Sequence, residues 1–381
     1  MEMSKELKRL ARIEEGPYPF CSLYLNTKWE DEQQRERIRL FLKNQLKKGA
    51  EQLKGKEDLL RYYLEDQKRI ERYVEGLIRQ TMDEGINGVA LFSCSGTQTF
   101  LTYPSIIPYE NEFILDHLPA LKPLVRLFSQ YQKTLAVMVN TESARLFEIS
   151  LEGLVTEFSI ESYVPGRHDQ GGWSQMRFQR HIKDHMDKHH KEVAEQLTSL
   201  FDSGNWKRVV LIGQDRILAN FKHFLPERVK HHIADIFSAE LTEDRSKLLR
   251  KIFDRLLQKE KEEISQQIRE LKERTPYGGL ATFGLSPTLE ALNQGQIQTL
   301  FLLNSFTLKG GKCQRCGILT IIPEGAQISP LCPLCKGNLK VVPLEEEMMR
   351  SVLRQDGEVK WVDEDPILKE FEGVGASLRF R

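Results

Sequence analysis

The sequence predicts an α/β protein of three domains, residues 1–130, 131–270 and 271–381. Its 381 residues exceed one ordinary domain and suffice for two or three, each with its own core. Short runs of β-forming apolar residues alternate with long, charged, breaker-poor stretches, the pattern of strands interleaved with helices. Turn-forming clusters separate these blocks, at Leu101–Phe128 with its four prolines and at Thr275–Gly279.

In the first segment, Cys21–Leu25 (CSLYL) and Gly88–Phe92 (GVALF) read as strands, and the periodic, charged stretch Asp31–Asp83 between them reads as two long helices. Its few breakers are Gly49, Gly55 and Gly76. In the second segment, Thr134–Val139 and Ala144–Ile149 predict a β-hairpin. A polar loop after Gly166 leads into a helix from about Arg177 to Phe201, closed by Asp202-Ser203-Gly204, then a strand at Arg208–Gly213 and more helix. A long charged helix, Leu241–Lys272, leads to the third segment, where Leu289–Gly295 predicts a short helix and Thr299–Leu303 a strand. Phe371–Arg381 reads as a turn feeding a final strand.

Fifty-five basic residues balance fifty-five acidic ones, and 40% of residues are hydrophobic, which excludes a disordered chain and a globally polybasic nucleic-acid binder. Any nucleic-acid surface must be local. Met1–Gly16 has no apolar core of a signal peptide, and no stretch offers eighteen uncharged apolar residues. A cytoplasmic chain without a membrane span is expected.

Four of the six cysteines form two pairs, Cys313-x2-Cys316 and Cys332-x2-Cys335, separated by fifteen residues. Two such knuckles fold together into a tetrahedral set of thiolates, with turn chemistry supplied by Gly317, Pro333 and Gly337. Four soft ligands leave no open position, so the ion, Zn2+ or iron by ligand type, is structural. Cys21 and Cys94 lie in or beside strand-like runs and read as buried thiols.

The stretch Gly166–Arg180 (GRHDQGGWSQMRFQR) joins a glycine loop to a basic helix. Adjacent Gly171 and Gly172 let backbone amides approach an oxyanion or phosphate without a Cβ in the way. Gly166–Lys191 carries six basic residues against three acidic ones, with five histidines, which suits an RNA backbone. His181, His185 and His189 recur every four residues, a polar helical face toward RNA or solvent. A metal nuclease built on them would require more than one ion per chain.

This stretch resembles the archaeal and eukaryotic class-I peptide-chain release factor family, whose central domain carries a Gly-Gly-Gln loop before a long helix. Gly166, Gly171-Gly172, Ser174, Arg177-Phe178 and Arg180 match that frame. The resemblance continues at Val209–Gly213, Tyr277–Gly284, Thr288–Gly295 and Gly373–Phe380, covering most of residues 130–381. The first segment is similar only in outline: where the family has its codon-reading Asn-Ile-Lys-Ser, this chain reads Asn26-Thr27-Lys28-Trp29-Glu30-Asp31.

The resemblance implies an RNase-H-like central domain and an L7Ae-like α/β/α sandwich with an inserted zinc ribbon at the C-terminus. It implies hydrolysis of the peptidyl-tRNA ester in rescue of stalled ribosomes rather than stop-codon reading. Implied partners are the large ribosomal subunit, tRNA and rRNA, and a translational GTPase. Gly171, Gly172 and Gln175 are the candidate catalytic residues, and Arg167, Trp173, Arg177, Arg180 and Lys183 the candidate RNA contacts. Trp173 stands where the family has its glutamine, with Gln175 two residues on. The alternative is therefore a ribosome- or tRNA-binding module that has lost hydrolysis.

Overall fold

The structure is a computed structural model and describes residues 3–28, 31–79, 86–130, 132–150, 156–161, 174–275, 279–322 and 331–380. Among the described residues it is a mixed α/β fold with four sheets, divided into two compact units. One contains residues 1–130 and 261–381, so the first and last segments of the sequence lie in the same unit. The other contains residues 131–260.

The first unit opens with α1 (Met3–Ala11), β1 (Phe20–Asn26), the helical pair α2 (Glu32–Gln52) and α3 (Glu57–Arg79), then β2 (Gly88–Cys94), β3 (Thr99–Ser105), β4 (Glu112–Asp116) and α4 (Lys122–Gln130). The four strands form an antiparallel sheet in the order β3-β2-β1-β4. Asp31 starts α2 by accepting the Gln34 N–H at 2.6 Å, satisfying a donor that has no intrahelical partner. Gly55, at φ 87°, makes the turn into α3. Gly49 sits mid-helix for a packing reason: a Cβ there would lie 2.3 Å from the hydroxyl of Tyr63, which donates to the Leu46 carbonyl at 2.7 Å. Leu23, Leu25, Ile38, Leu42, Leu46, Ile70, Val74 and Leu91 fill the core between the helices and the sheet.

The second unit runs β5 (Thr134–Val139), β6 (Ser143–Ile149), β7 (Thr156–Glu161), α5 (Ser174–Ser203), β8 (Arg208–Ile212), α6 (Asp215–Lys222), α7 (Glu227–Lys230), β9 (Ile233–Phe237) and the start of α8 (Arg245–Arg274). Its sheet has the order β7-β6-β5-β8-β9. The first three strands are antiparallel, and β8 and β9 run parallel to β5, the RNase-H-like arrangement. Every residue of β5 and β8 is buried, as expected of central strands covered on both faces. Val193, Ala194 and Leu197 of α5 and Leu218 and Phe221 of α6 pack in this core.

The rest of the first unit comprises β10 (Ala281–Phe283), α9 (Leu285–Asn293), β11 (Ile297–Leu303), β12 (Lys309–Cys313), β13 (Leu319–Ile321), β14 (Leu339–Pro343), α10 (Leu344–Arg354), β15 (Glu358–Val362), α11 (Pro366–Glu370) and β16 (Val374–Leu378). One sheet has the order β10-β16-β11-β15, and a small one the order β13-β12-β14. The latter is the cysteine ribbon, inserted between β11 and α10. No helix among the described residues is long and apolar enough to cross a membrane.

Contacts within this unit tie α10 to the N-terminal residues. Arg354 donates to the Ala11 and Ile13 carbonyls at 2.6 and 3.0 Å, and the buried Arg350 donates to the Pro119 carbonyl at 2.7 Å. One turn before Arg350, Glu346 has its Oε2 buried without a hydrogen-bond partner. Burial pushes its carboxyl up to about 7, against the pull of Arg350 and Lys122. A proton held more tightly in the folded than in the unfolded chain stabilises the fold fully below pH 4.5, and that contribution fades as pH rises through 7. Glu346→Gln cannot follow that titration. Its unfolding free energy relative to wild type is expected to rise by up to about 3 kcal/mol between pH 5 and pH 8 in urea titrations. An offset that is the same at both pH values would show that the carboxyl titrates normally.

Candidate functional site

The ribbon is built by two nearly equivalent knuckles. In the first, Gly317 N–H donates to the Cys313 carbonyl at 3.0 Å; in the second, Lys336 N–H donates to the Cys332 carbonyl at 3.0 Å. Each turn ends in left-handed backbone, at Gly317 (φ 77°) and Lys336 (φ 60°). A cross-link from Gln314 N–H to the Asn338 carbonyl at 3.0 Å sets the knuckles face to face. Gly337 lies against the site, where a Cβ would approach the sulfurs of Cys313 and Cys335 to 3.3 and 3.4 Å.

The four sulfurs all lie within 4.8 Å of one another. The Cys313–Cys335, Cys316–Cys335 and Cys316–Cys332 separations are 3.4, 3.4 and 3.6 Å. These are far from a disulfide bond and close to the edge, about 3.8 Å, of a tetrahedron with metal–sulfur bonds of about 2.3 Å. Backbone N–H groups of Arg315 and Cys316 point at the Cys313 sulfur at 3.4 Å, and the Cys335 N–H points at the Cys332 sulfur at 3.5 Å. The Cys316 N–H in particular holds the Cys313 thiol down to about 6, favouring the thiolate that a metal ligand requires. The donor set fits one metal ion, as the spacing predicts, and it is the one such cluster among the described residues.

The ribbon is fastened to its unit in two ways that sequence reading did not find. Asn293, at the end of α9, donates to the Leu319 carbonyl and accepts the Leu319 N–H, both at 2.9 Å, standing in for a neighbouring strand at the edge of β13. Lys312 pairs with Glu347 of α10 at 2.7 Å. An asparagine at a helix end reads as a cap, so no local signal marks the first role.

The other candidate element is α5, 30 residues and about 45 Å long. It begins at Ser174, directly after the glycine loop. Arg167, Gly171, Gly172 and Trp173 lie outside the described residues. Gln175 and Arg177 fall in the first turn of the helix, with side chains outside the described residues, as is that of His181. Arg180 and Lys183 are exposed on α5, as are Lys188 and Lys191.

His189 and His190 are the first fully buried residues of α5 among those described. His190 Nε2 lies 3.0 Å from the Asn140 carbonyl, and its Nδ1 lies 3.2 Å from Asn220 Nδ2, which also donates to Asp187 at 2.8 Å. The His row, read from the sequence as a polar face, ends in the buried His189, and its neighbour His190 also meets Phe221 and Phe224 edge-on at 5.8 and 6.4 Å.

The family model for bacterial archaeo-eukaryotic release factor family 10 matches residues 119–255, a span containing the glycine loop and α5. The chain is similar to the peptide chain release factor subunit 1 of Picrophilus torridus, 26% identical over 242 residues, 58% of each chain. It is also similar to that of Methanocaldococcus jannaschii, 24% identical over 349 residues, 80% of this chain and 81% of the relative. The match thus spans little more than half the length of the first relative. Among solved structures, archaeal translation termination factor aRF1 is 15% identical with a TM-score of 0.26, covering 99% of this chain and 96% of that one. Archaeoglobus fulgidus Pelota is 17% identical with a TM-score of 0.36, covering 77% and 79%. Over residues 119–255 the chain is thus similar to the bacterial archaeo-eukaryotic release factors, and over longer spans to archaeal peptide chain release factor subunits 1.

Proposed function

We propose that this protein acts on ribosomes in rescue or quality control, hydrolysing the ester between peptide and tRNA. The observation that carries the reading is the placement of Gly171-Gly172 immediately before the N-terminus of a long helix, inside the span matched by the release-factor model. A helix N-terminus presents unpaired N–H groups and a positive dipole end. A loop of two glycines there can bring backbone amides to an oxyanion. Water attacks the ester carbonyl, the bond to the tRNA ribose oxygen breaks as that oxygen takes up the proton the water gives up, and the negative oxygen of the tetrahedral intermediate is stabilised by such a donor, worth about 3 kcal/mol in a site closed to bulk water. Gln175 orients the water, and Arg167, Arg177, Arg180 and Lys183 hold phosphates. Trp173 stacks on a nucleotide base, a contact worth about 1–3 kcal/mol.

The partners this reading entails are the large ribosomal subunit, tRNA and a translational GTPase for delivery. The ion in the ribbon is zinc, in a structural role. Stop-codon reading is not part of the function, because Asn26–Asp31 lacks the family's codon-reading sequence. Trp173 in the place of the family's glutamine favours one second reading: a module that binds ribosomes or tRNA without cleaving the ester.

Single-turnover release of peptide from peptidyl-tRNA on stalled ribosomes separates the two. Release by wild type that falls about a hundredfold in Gly172→Ala and in Gln175→Ala is the result expected of the hydrolase. Ribosome binding by wild type with no release leaves the binding module.

A further inference from the structure

We propose that His190 is a positioning residue that fixes the direction in which α5 leaves the sheet of its unit toward the Gly171-Gly172 loop, and that it does so only as a neutral imidazole. The inference rests on the reading of that loop as the reacting element, but its structural part can be tested without it.

The neighbours of His190 assign its protons. The Asn140 carbonyl can only accept, so Nε2 carries a hydrogen; the Asn220 amide nitrogen can only donate, so Nδ1 is bare. The orientation of Asn220 is itself settled, because the same nitrogen donates to the Asp187 carboxylate. Asn140 is held in turn: its side-chain oxygen accepts the N–H groups of Glu142 and Ser143 at 2.9 and 2.7 Å, and its own N–H donates to the Ser143 carbonyl at 3.0 Å. One imidazole thus links α5 to the β5–β6 turn and to α6. N-terminal to it, Lys183 and Asp184 are exposed and His185, Met186 and Asp187 half-buried, so His190 lies at the start of the fully buried part of the helix, one turn from the Asp187–Asn220 contact.

A second proton would set an N–H on Nδ1 against the Asn220 N–H2, on an imidazole that also packs against the Phe221 and Phe224 rings. The charged groups facing the pair are few: Asp187, which shares Asn220 with His190, favours its charged form, and Glu142 and Glu192 favour that of His189, all against the larger effect of burial. Burial lowers the proton affinity of both imidazoles. The clamp is therefore intact above the ordinary histidine range near pH 6.5 and is lost as pH falls below it.

Hydrogen exchange of the amides of residues 174–188, corrected for intrinsic rates, tests this between about pH 7.5 and pH 5. Wild type is expected to lose protection there at least about tenfold on acidification, while the β5 and β8 amides stay protected. His190→Gln, which has no proton to gain, should show no such loss. Asn220→Asp, which offers Nδ1–H an acceptor, should move the loss to lower pH. His189→Gln, which leaves the His190 contacts in place, should keep the pH response. Protection independent of pH in wild type would overturn the proposal, and so would loss of the pH response in His189→Gln but not in His190→Gln. Peptide release followed on the same proteins should track the exchange. Exchange behaving as stated with no release from any protein would sink the hydrolase reading and leave the clamp standing.

Discussion

Removing the metal from the ribbon, by chelation or by Cys316→Ser with Cys335→Ser, is expected to unfold residues 309–322 and 331–343 while leaving the sheet of residues 131–260 intact. The ribbon's strands are five, three and five residues long. Its apolar side chains do not form a core: Leu319 and Val342 are buried, but Ile321, Leu331, Leu334 and Val341 are exposed, Leu334 by 72%. Three short strands and two fastenings supply little cohesion beside the ion, whose binding supplies about 10–16 kcal/mol in structural zinc sites. Elemental analysis should find one zinc per chain in wild type and none in the double variant. Ribbon amides should lose their exchange protection together in the variant. A red absorption from a ferric tetrathiolate would identify iron instead, and amides that stay protected without any ion would refute the metal-dependent ribbon.

The four-cysteine cluster is readable from the sequence because its determinants are local: paired cysteines at fixed spacing, with the glycines their turns require, specify the knuckles wherever they fall in the chain. The central strands were readable for a similar reason, since β5 and β8 are buried along their whole length and appear as unbroken apolar runs. Edge strands lack that signature. Leu101–Phe128 reads as a proline-rich turn region, yet it holds β3 and β4, the two edges of their sheet. Pro104 is tolerated in β3 because that strand pairs only with β2. Gly49 looks like a breaker and is instead room for Tyr63. What sequence reading could not supply were pairings between distant residues: Asn293 with Leu319, and His190 with Asn140 and Asn220. Each joins ordinary residue types whose meaning depends on which element folds beside them.

Glu260→Ala is expected to destabilise residues 131–260 by about 3–5 kcal/mol, the largest loss we predict from a single substitution away from the ribbon. Arg208 opens β8 and Glu260 lies in α8; their side chains are 6% and 2% exposed, and Arg208 Nη2 donates to Glu260 Oε2. In the sequence Arg208 is simply the first residue of the expected strand Arg208–Gly213, and its partner lies 52 residues away. Removing the carboxylate takes the charge partner from a guanidinium that cannot shed its proton inside the protein, so its desolvation is offset far less. A loss of that size should lower the thermal midpoint by about 10 °C or more. The net contribution of the intact pair is much smaller than the damage done by breaking it, because both charges gave up water to meet. Arg208→Met combined with Glu260→Leu should therefore recover most of the lost stability, which a pair that is strongly stabilising in itself would not permit. Measured by urea unfolding with zinc content followed alongside, the single variant should lose midpoint and slope-corrected free energy but keep its metal. A double variant as unstable as Glu260→Ala would mean that the pair contributes more than its own desolvation, and that the sheet beneath α5 depends on charge rather than on packing.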